Sequence, residues 1–155
     1  RVPKGVELVL CDEAPETTLS SVLEASYEGT LDCPGLCGLR QTRDIIAGHR
    51  AMGCVEPEGW ILLKVDGHFE GVIMINRSPD ESGYELAYLG ISKAVRSRGL
   101  GRGLLEEVVH RFSGRGPGRM TLAADANNTP AISLYASMGF TANMRRTACI
   151  RPVTP

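Results

Sequence analysis

A single α/β domain, with a mixed and mostly antiparallel sheet flanked by about four helices, is the fold class this sequence predicts. Three observations carry the prediction. The chain has 155 residues, a size at which one hydrophobic core is the ordinary solution. Its apolar residues follow helical spacing in 15–29 and 42–52, and the period changes at Trp60 to three strand-like runs. An Asp-Gly pair at 66–67 separates two of those runs, a strong hairpin signal. One domain over residues 1–155 is therefore expected.

The elements follow in order. VELVLC (6–11) alternates as a strand does. PETTLSSVLEASYEG (15–29) begins with proline and hydroxyls, puts Leu19, Val22 and Leu23 on one face, and reads as a helix stopped by Gly29. After the loop TLDCPGLCGL, the segment TRDIIAGHRAM (42–52) reads as a second helix with Thr42 as its cap. WILLKV, HFEGVIMI and YELAYLGI predict an antiparallel meander, with Trp60 in the core. Leu104, Leu105, Val108, Val109 and Phe112 then share one face of a third helix. MTLAA (120–124) is a strand, DANN a turn, and PAISLYASM a helix with Pro130 at its first position. FTANMRRTACIRPV (140–153) closes the chain as a last extended segment, giving the order β-α-α-β-β-β-α-β-α-β.

Composition narrows the function classes. A hydrophobic content of 43% and a net charge of −1 describe an ordinary globule, with no overall field for nucleic acid or an anionic membrane. The charge is unevenly spread. Residues 1–60 hold 5 Lys/Arg against 10 Asp/Glu, while residues 93–119 hold seven cations against two acids. An RNA-binding sheet is disfavoured, because only 5% of residues are aromatic. The longest apolar runs are strand-sized, far below the roughly 18 residues that cross a bilayer. Five cysteines, an odd number, suit reduced thiols and a cytoplasmic location. The pattern Cys33-x3-Cys37-x11-His49-x4-Cys54 has zinc-ligand types near a usual spacing. The same residues suit plain thiols, and no metal is expected.

The most informative stretch is RSRGLGRGLL (96–105). Glycines let a bulky anion approach the main chain, and a helix start offers unpaired N–H groups and a favourable dipole. Arg96, Arg98 and Arg102 add cations, so the stretch suits a phosphate or pyrophosphate. It is neither a dinucleotide fingerprint, which needs G-x-G-x-x-G, nor a P-loop, which needs Gly-Lys.

Arg96-Ser97-Arg98-Gly99-Leu100-Gly101 fits [QR]-x-x-G-x-[GA] and resembles the acyl-CoA pyrophosphate loop of the GNAT superfamily of N-acetyltransferases. NNTPAISLYASMGF (127–140) is similar to that family's N-x-x-A-x-x-L-Y-x-x-x-G-F segment. Within the family, residues 88–140 look most like mycothiol synthase and other small-amine acetyltransferases. The resemblance implies acetyl-CoA as co-substrate. Leu89, Gly90 and Ile91 would part from the neighbouring strand and pair with the pantetheine arm. Ser97 through Arg102 would hold the pyrophosphate, Asn128 would bond the pantetheine or adjacent backbone, and Tyr135 would face the thioester sulfur. In related proteins the loop holding Tyr27, Glu28 and Asp32 lines the acceptor cleft, where acidity suits a cationic amine.

Acetyl transfer needs a neutral amine, a polarised carbonyl and a protonated leaving group. The Leu89 amide is the candidate for polarisation and Tyr135 for the general acid. Glu85 is the candidate base, placed by alternation on the face of Ala87 and Leu89. Its carboxyl, near ~4.3, lies about six units below an ammonium near ~10.4, so it would need burial or a water relay. The expected acceptor is a small-molecule or peptide amine. A non-catalytic acyl-CoA-binding module, or one half of a tandem enzyme, is the alternative. Edge strands near the C-terminus leave room for a homodimer.

Overall fold

The computed structural model describes residues 5–52, 54–80, 82–116, 118–147 and 149. β1 (Val6–Leu10) leads to α1 (Glu16–Tyr27) and α2 (Thr42–Ala51), followed by the two-residue β2 (Cys54–Val55). β3 (Ile61–Val65), β4 (His68–Arg77) and β5 (Tyr84–Ile91) form the meander. α3 (Leu100–Phe112), β6 (Met120–Leu122) and α4 (Thr129–Ser137) complete the fold. The sheet order is β1-β3-β4-β5-β6, with β2 on the far end of β4. Every pairing is antiparallel except β5–β6, which α3 connects as a parallel crossover.

Both sheet faces are covered, which explains why ILLKV and GVIMI read as continuous apolar runs. Ile61, Leu63, Ile73 and Ile75 pack with Leu104, Leu105 and Val108 of α3. Trp60, Leu62, Val72 and Met74 pack with Leu19, Val22 and Leu23 of α1 and Ile46 of α2. Among the described residues, no helix is long and apolar enough to cross a membrane.

Several boundaries differ from the sequence reading. Thr42 is the first helical residue of α2, not its cap, and its hydroxyl donates to Glu24 at 2.8 Å. Val109, expected on the buried face of α3, is 39% exposed because the core stripe runs through Val108 and Phe112. β6 stops at Leu122, two residues short of the expected strand. Residues 141–147 carry no strand. Their Asn143, Arg145 and Arg146 are exposed and Met144 is 64% exposed, so no apolar face is available to bury. Residues 148 and 150–153 of the expected last strand lie outside the described residues.

One irregularity decides how the site is built. Met74 pairs with Tyr88 but Ile75 pairs with Leu86, so Ala87 is an extra residue on β5. Tyr84, Leu86, Leu89 and Ile91 pack on the α3 side of the sheet, whereas Ala87 and Tyr88 pack on the α1 side. Simple alternation puts Glu85, Ala87 and Leu89 together; the bulge turns Leu89 onto the opposite face from Ala87.

The most buried polar side chain is Asn76, at 0% exposure. It accepts from Trp60 Nε1 at 3.0 Å and donates to the carbonyls of His49 at 2.8 Å and Met52 at 3.0 Å. It thereby ties the end of α2 to the centre of the sheet. Asn76→Ala strands one donor and two carbonyls, and is expected to lower stability by about 3 kcal/mol in urea titration. A loss below about 1 kcal/mol would mean that water replaces the amide.

Candidate functional site

β5 and β6 pair only from Tyr84–Met120 to Leu86–Leu122. The pair is closed tightly at its start, where a Cβ on Gly83 would sit 2.2 Å from the Arg119 carbonyl oxygen. Beyond Leu86 the strands separate, and a cleft of about 530 Å³ opens between Ala87–Ile91 and Ala123–Ala124. The Ser92 amide donates to the Glu70 carbonyl on β4 at 2.7 Å. Backbone groups alternate along an antiparallel strand, so those of Leu89 and Ile91 point away from β4 into the opening. The Ile91 carbonyl is taken there by Arg96 Nε at 3.0 Å. The Leu89 amide has no strand opposite it.

At the end of β5 the chain turns through Ser97, held at φ 63°, and Gly99, at φ 76°. This left-handed geometry is cheap for Gly99 and costs Ser97 on the order of 1 kcal/mol. α3 starts immediately afterwards, and its first internal bond runs from the Gly103 amide to the Gly99 carbonyl at 3.1 Å. The amides of Leu100, Gly101 and Arg102 therefore have no partner within the helix, and Gly99 supplies no capping side chain. Ser97, Gly99, Leu100, Gly101 and Arg102 all line the cleft. This end is a cluster of free amides at a positive helix terminus, suited to an anion.

The arginines act differently from one another. Arg96 donates to three carbonyls, those of Ile91, Gly29 at 3.0 Å and Ser26 at 2.8 Å. It fastens the end of α1 to the end of β5 and so holds the turn open. Arg102 bonds Glu106 at 3.4 Å and reaches Ser137 on α4, joining the two helices that flank the cleft. Arg98 is exposed, lies outside the cleft lining and has no hydrogen bond or ion pair among the described residues.

α4 forms the opposite wall. Asn128 caps it by accepting the Ala131 amide at 3.3 Å, and it also lines the cleft. Tyr135 projects into the cleft with its ring 6.0 Å from Phe140, and its hydroxyl has no partner among the described residues. Burial, assisted by the charge of Asp32, pushes its phenol up to about 12.

Of the residues expected from sequence, Leu89, Gly90, Ile91, Arg96, Ser97, Gly99, Leu100, Gly101, Arg102, Asn128 and Tyr135 converge on the cleft. Glu85 does not line it, and the bulge puts it out of phase with Leu89. Among the described residues no three His, Cys, Asp or Glu side chains are grouped to hold a metal, so Cys33, Cys37, His49 and Cys54 do not converge.

Sequence reasoning missed Ser26 and Tyr88. The buried Ser26 hydroxyl donates to Leu23 at 2.7 Å, so the Tyr88 hydroxyl, also 2.7 Å away, donates to Ser26. Their bond crosses directly above Gly90, where a Cβ would sit 2.6–2.7 Å from both side chains. Tyr27 packs edge-on to Tyr88 at 5.9 Å and His49 lies 6.0 Å from it. Burial and Arg40 lower the pKa of His49. Tyr88 reads from sequence as one more strand aromatic; only the bulge turns it toward α1.

A family model described as the acetyltransferase (GNAT) family matches residues 24–140. The chain belongs to that family. A mycothiol acetyltransferase from Thermomonospora curvata is 32% identical over 100 residues, covering 64% of this chain and 33% of that protein. The chain thus spans between about a fifth and a third of the length of the curated relatives it matches. Among solved structures, PH1933 from Pyrococcus horikoshii superposes with a TM-score of 0.69 at 19% identity, over 92% of each chain. The structure of yncA, a putative acetyltransferase from Salmonella typhimurium with its cofactor acetyl-CoA, gives 0.66 at 18% identity, covering 91% of this chain and 82% of that one. The family match contains the cleft walls from Ser26 to Tyr135.

The raised phenol of this GNAT chain has a pH consequence. An unfolded tyrosine ionises near ~10, whereas folded Tyr135 holds its proton to about 12. Its contribution to stability is complete below pH ~10 and is lost as pH rises toward 12. Ultraviolet difference titration of wild type against Tyr135→Phe is expected to show no phenolate from this residue below about pH 11. Ionisation near pH 10 would place the ring in water.

Proposed function

We propose that this chain transfers an acetyl group from acetyl-CoA directly to an amine. One observation carries the reading: unclaimed amides at the start of α3, the unpaired edge of β5 and the Tyr135 hydroxyl of α4 line the same cleft. That set fits a diphosphate, an extended arm and a thioester. The mycothiol acetyltransferase relatives and the acetyl-CoA-bound structural neighbour support it.

In this reading the amides of Leu100, Gly101 and Arg102 take the diphosphate, aided by the helix dipole and by Arg98 nearby. The edge of β5 pairs with the pantetheine. The Leu89 amide donates to the thioester carbonyl oxygen as it becomes negative. An uncharged amine attacks the carbonyl carbon, a C–N bond forms and the C–S bond breaks. The Tyr135 hydroxyl faces the departing sulfur, and its proton goes to the thiolate. The proton released from nitrogen leaves through the open mouth to water, and solvent restores Tyr135. Because the phenol sits about 3.5 units above a thiol near ~8.5, this proton transfer is uphill and is completed as solvent reprotonates the phenol. Glu85, outside the cleft lining, is not needed in this route.

A thiol-release assay with a panel of amines tests the reading. Tyr135→Phe is expected to lower turnover roughly 10- to 1000-fold while keeping acetyl-CoA affinity. Unchanged turnover removes Tyr135 from the chemistry, and coenzyme binding without turnover on any amine favours a binding module. Glu85→Gln is expected to change kcat/KM by less than about three-fold and to leave its acidic limb in place. A lost acidic limb would restore Glu85 as the base.

A further inference from the structure

The acetyl-transfer reading leaves one charged group of the cleft without a task. Asp32 lies in the exposed loop after α1 and lines the cleft beside Tyr88 and Tyr135. Its Oδ1 accepts the Asp125 amide at 2.9 Å. Asp125 in turn uses both its oxygens on backbone amides, those of Asn127 at 2.8 Å and Cys33 at 3.2 Å. Two hydrogen bonds therefore join the loop to the β6–α4 connection across the mouth. They hold Asp32 in place and leave its Oδ2 without a hydrogen bond among the described residues. No described Lys or Arg pairs with Asp32. Arg96 is engaged by three carbonyls, Arg102 by Glu106 and Ser137, and Lys93 by Glu28 at 3.1 Å.

By itself such a carboxylate opposes the chemistry. The carbonyl oxygen and the sulfur both gain negative charge during transfer, and a nearby anion raises the energy of each. It does not help the nucleophile either, since an anion beside an amine favours the unreactive ammonium. Both costs are removed when the acceptor carries a second positive charge that docks on Asp32 away from the reacting nitrogen. We propose that Asp32 selects acceptors bearing a cationic group in addition to the reacting amine, the chemistry of small diamines and polyamines. This rests on the acetyl-transfer reading and specifies its acceptor.

Three acceptors of matched length separate the possibilities: 1,4-diaminobutane, n-butylamine and 4-aminobutanoate, each measured by thiol release at saturating acetyl-CoA. Wild type is expected to favour the diamine over n-butylamine by about ten-fold in kcat/KM, and to disfavour 4-aminobutanoate further. Asp32→Asn, which keeps the bond to the Asp125 amide, should bring the diamine within about two-fold of n-butylamine through KM. It should also improve 4-aminobutanoate and leave acetyl-CoA affinity unchanged by calorimetry, with Asp32→Glu recovering part of the preference. An unchanged ranking in Asp32→Asn, or an equal loss on all three acceptors, overturns the proposal alone. A wild type that binds acetyl-CoA but acetylates none of the three overturns the transfer reading with it.

Discussion

The site depends on β5 losing its parallel neighbour halfway along its length. A strand edge inside a folded domain leaves amides and carbonyls that need a partner, and closing the gap would be the cheaper arrangement. Closure is prevented from both sides. Past Leu122 the chain leaves the sheet for the Asp125–Asn128 turn that starts α4, and Arg96 pins the far end of β5 to α1 instead. At the near end the strands are locked by the close approach at Gly83. The result is a wedge, zipped at one end and held open at the other, whose exposed edge is available to an extended ligand.

Charge follows the wedge. Free amides and the exposed Arg98 gather where β5 ends, and the loop with Asp32 lies across the mouth. Tyr135 lines the same cleft, its proton held by burial and by Asp32. A molecule with an anionic head at one end and a cation at the other would meet complementary charge at both. Of the acids in the first half of the chain, Asp32 alone lines the described cleft, together with Arg96 and Arg102 from the second half.

The fold class and the glycine-rich turn that starts α3 were legible because they rest on local signals. Hydrophobic period, a hairpin dipeptide and a glycine-rich helix start do not depend on distant residues. What escaped was nonlocal. The Ala87 bulge depends on how β4 and β5 register, so nothing in YELAYLGI reveals that Leu89 changes face. Arg96 reads as a phosphate ligand until Ser26 and Gly29, some seventy residues away, are seen to claim its guanidinium. Asp125 reads as a plain turn residue until the Cys33 amide and Asp32 carboxylate meet it. The two-residue β2 is too short to carry any period.

The bulge also separates the two tasks that β5 performs. Were Ala87 held in regular alternation instead of bulged, Leu89 would share the face of Glu85. With the bulge, Leu89 packs toward α3 while Tyr88 turns toward α1, where its hydroxyl is spent on Ser26. The Tyr135 hydroxyl, on a different element, lines the same cleft without a partner among the described residues. The bulge thus leaves Glu85 out of phase with Leu89 and outside the cleft lining, and in the proposed route the proton comes from α4. The carboxylate that does line the cleft, Asp32, comes from a loop. A loop carboxylate can be held at the mouth by two backbone bonds without disturbing a single rung of the sheet.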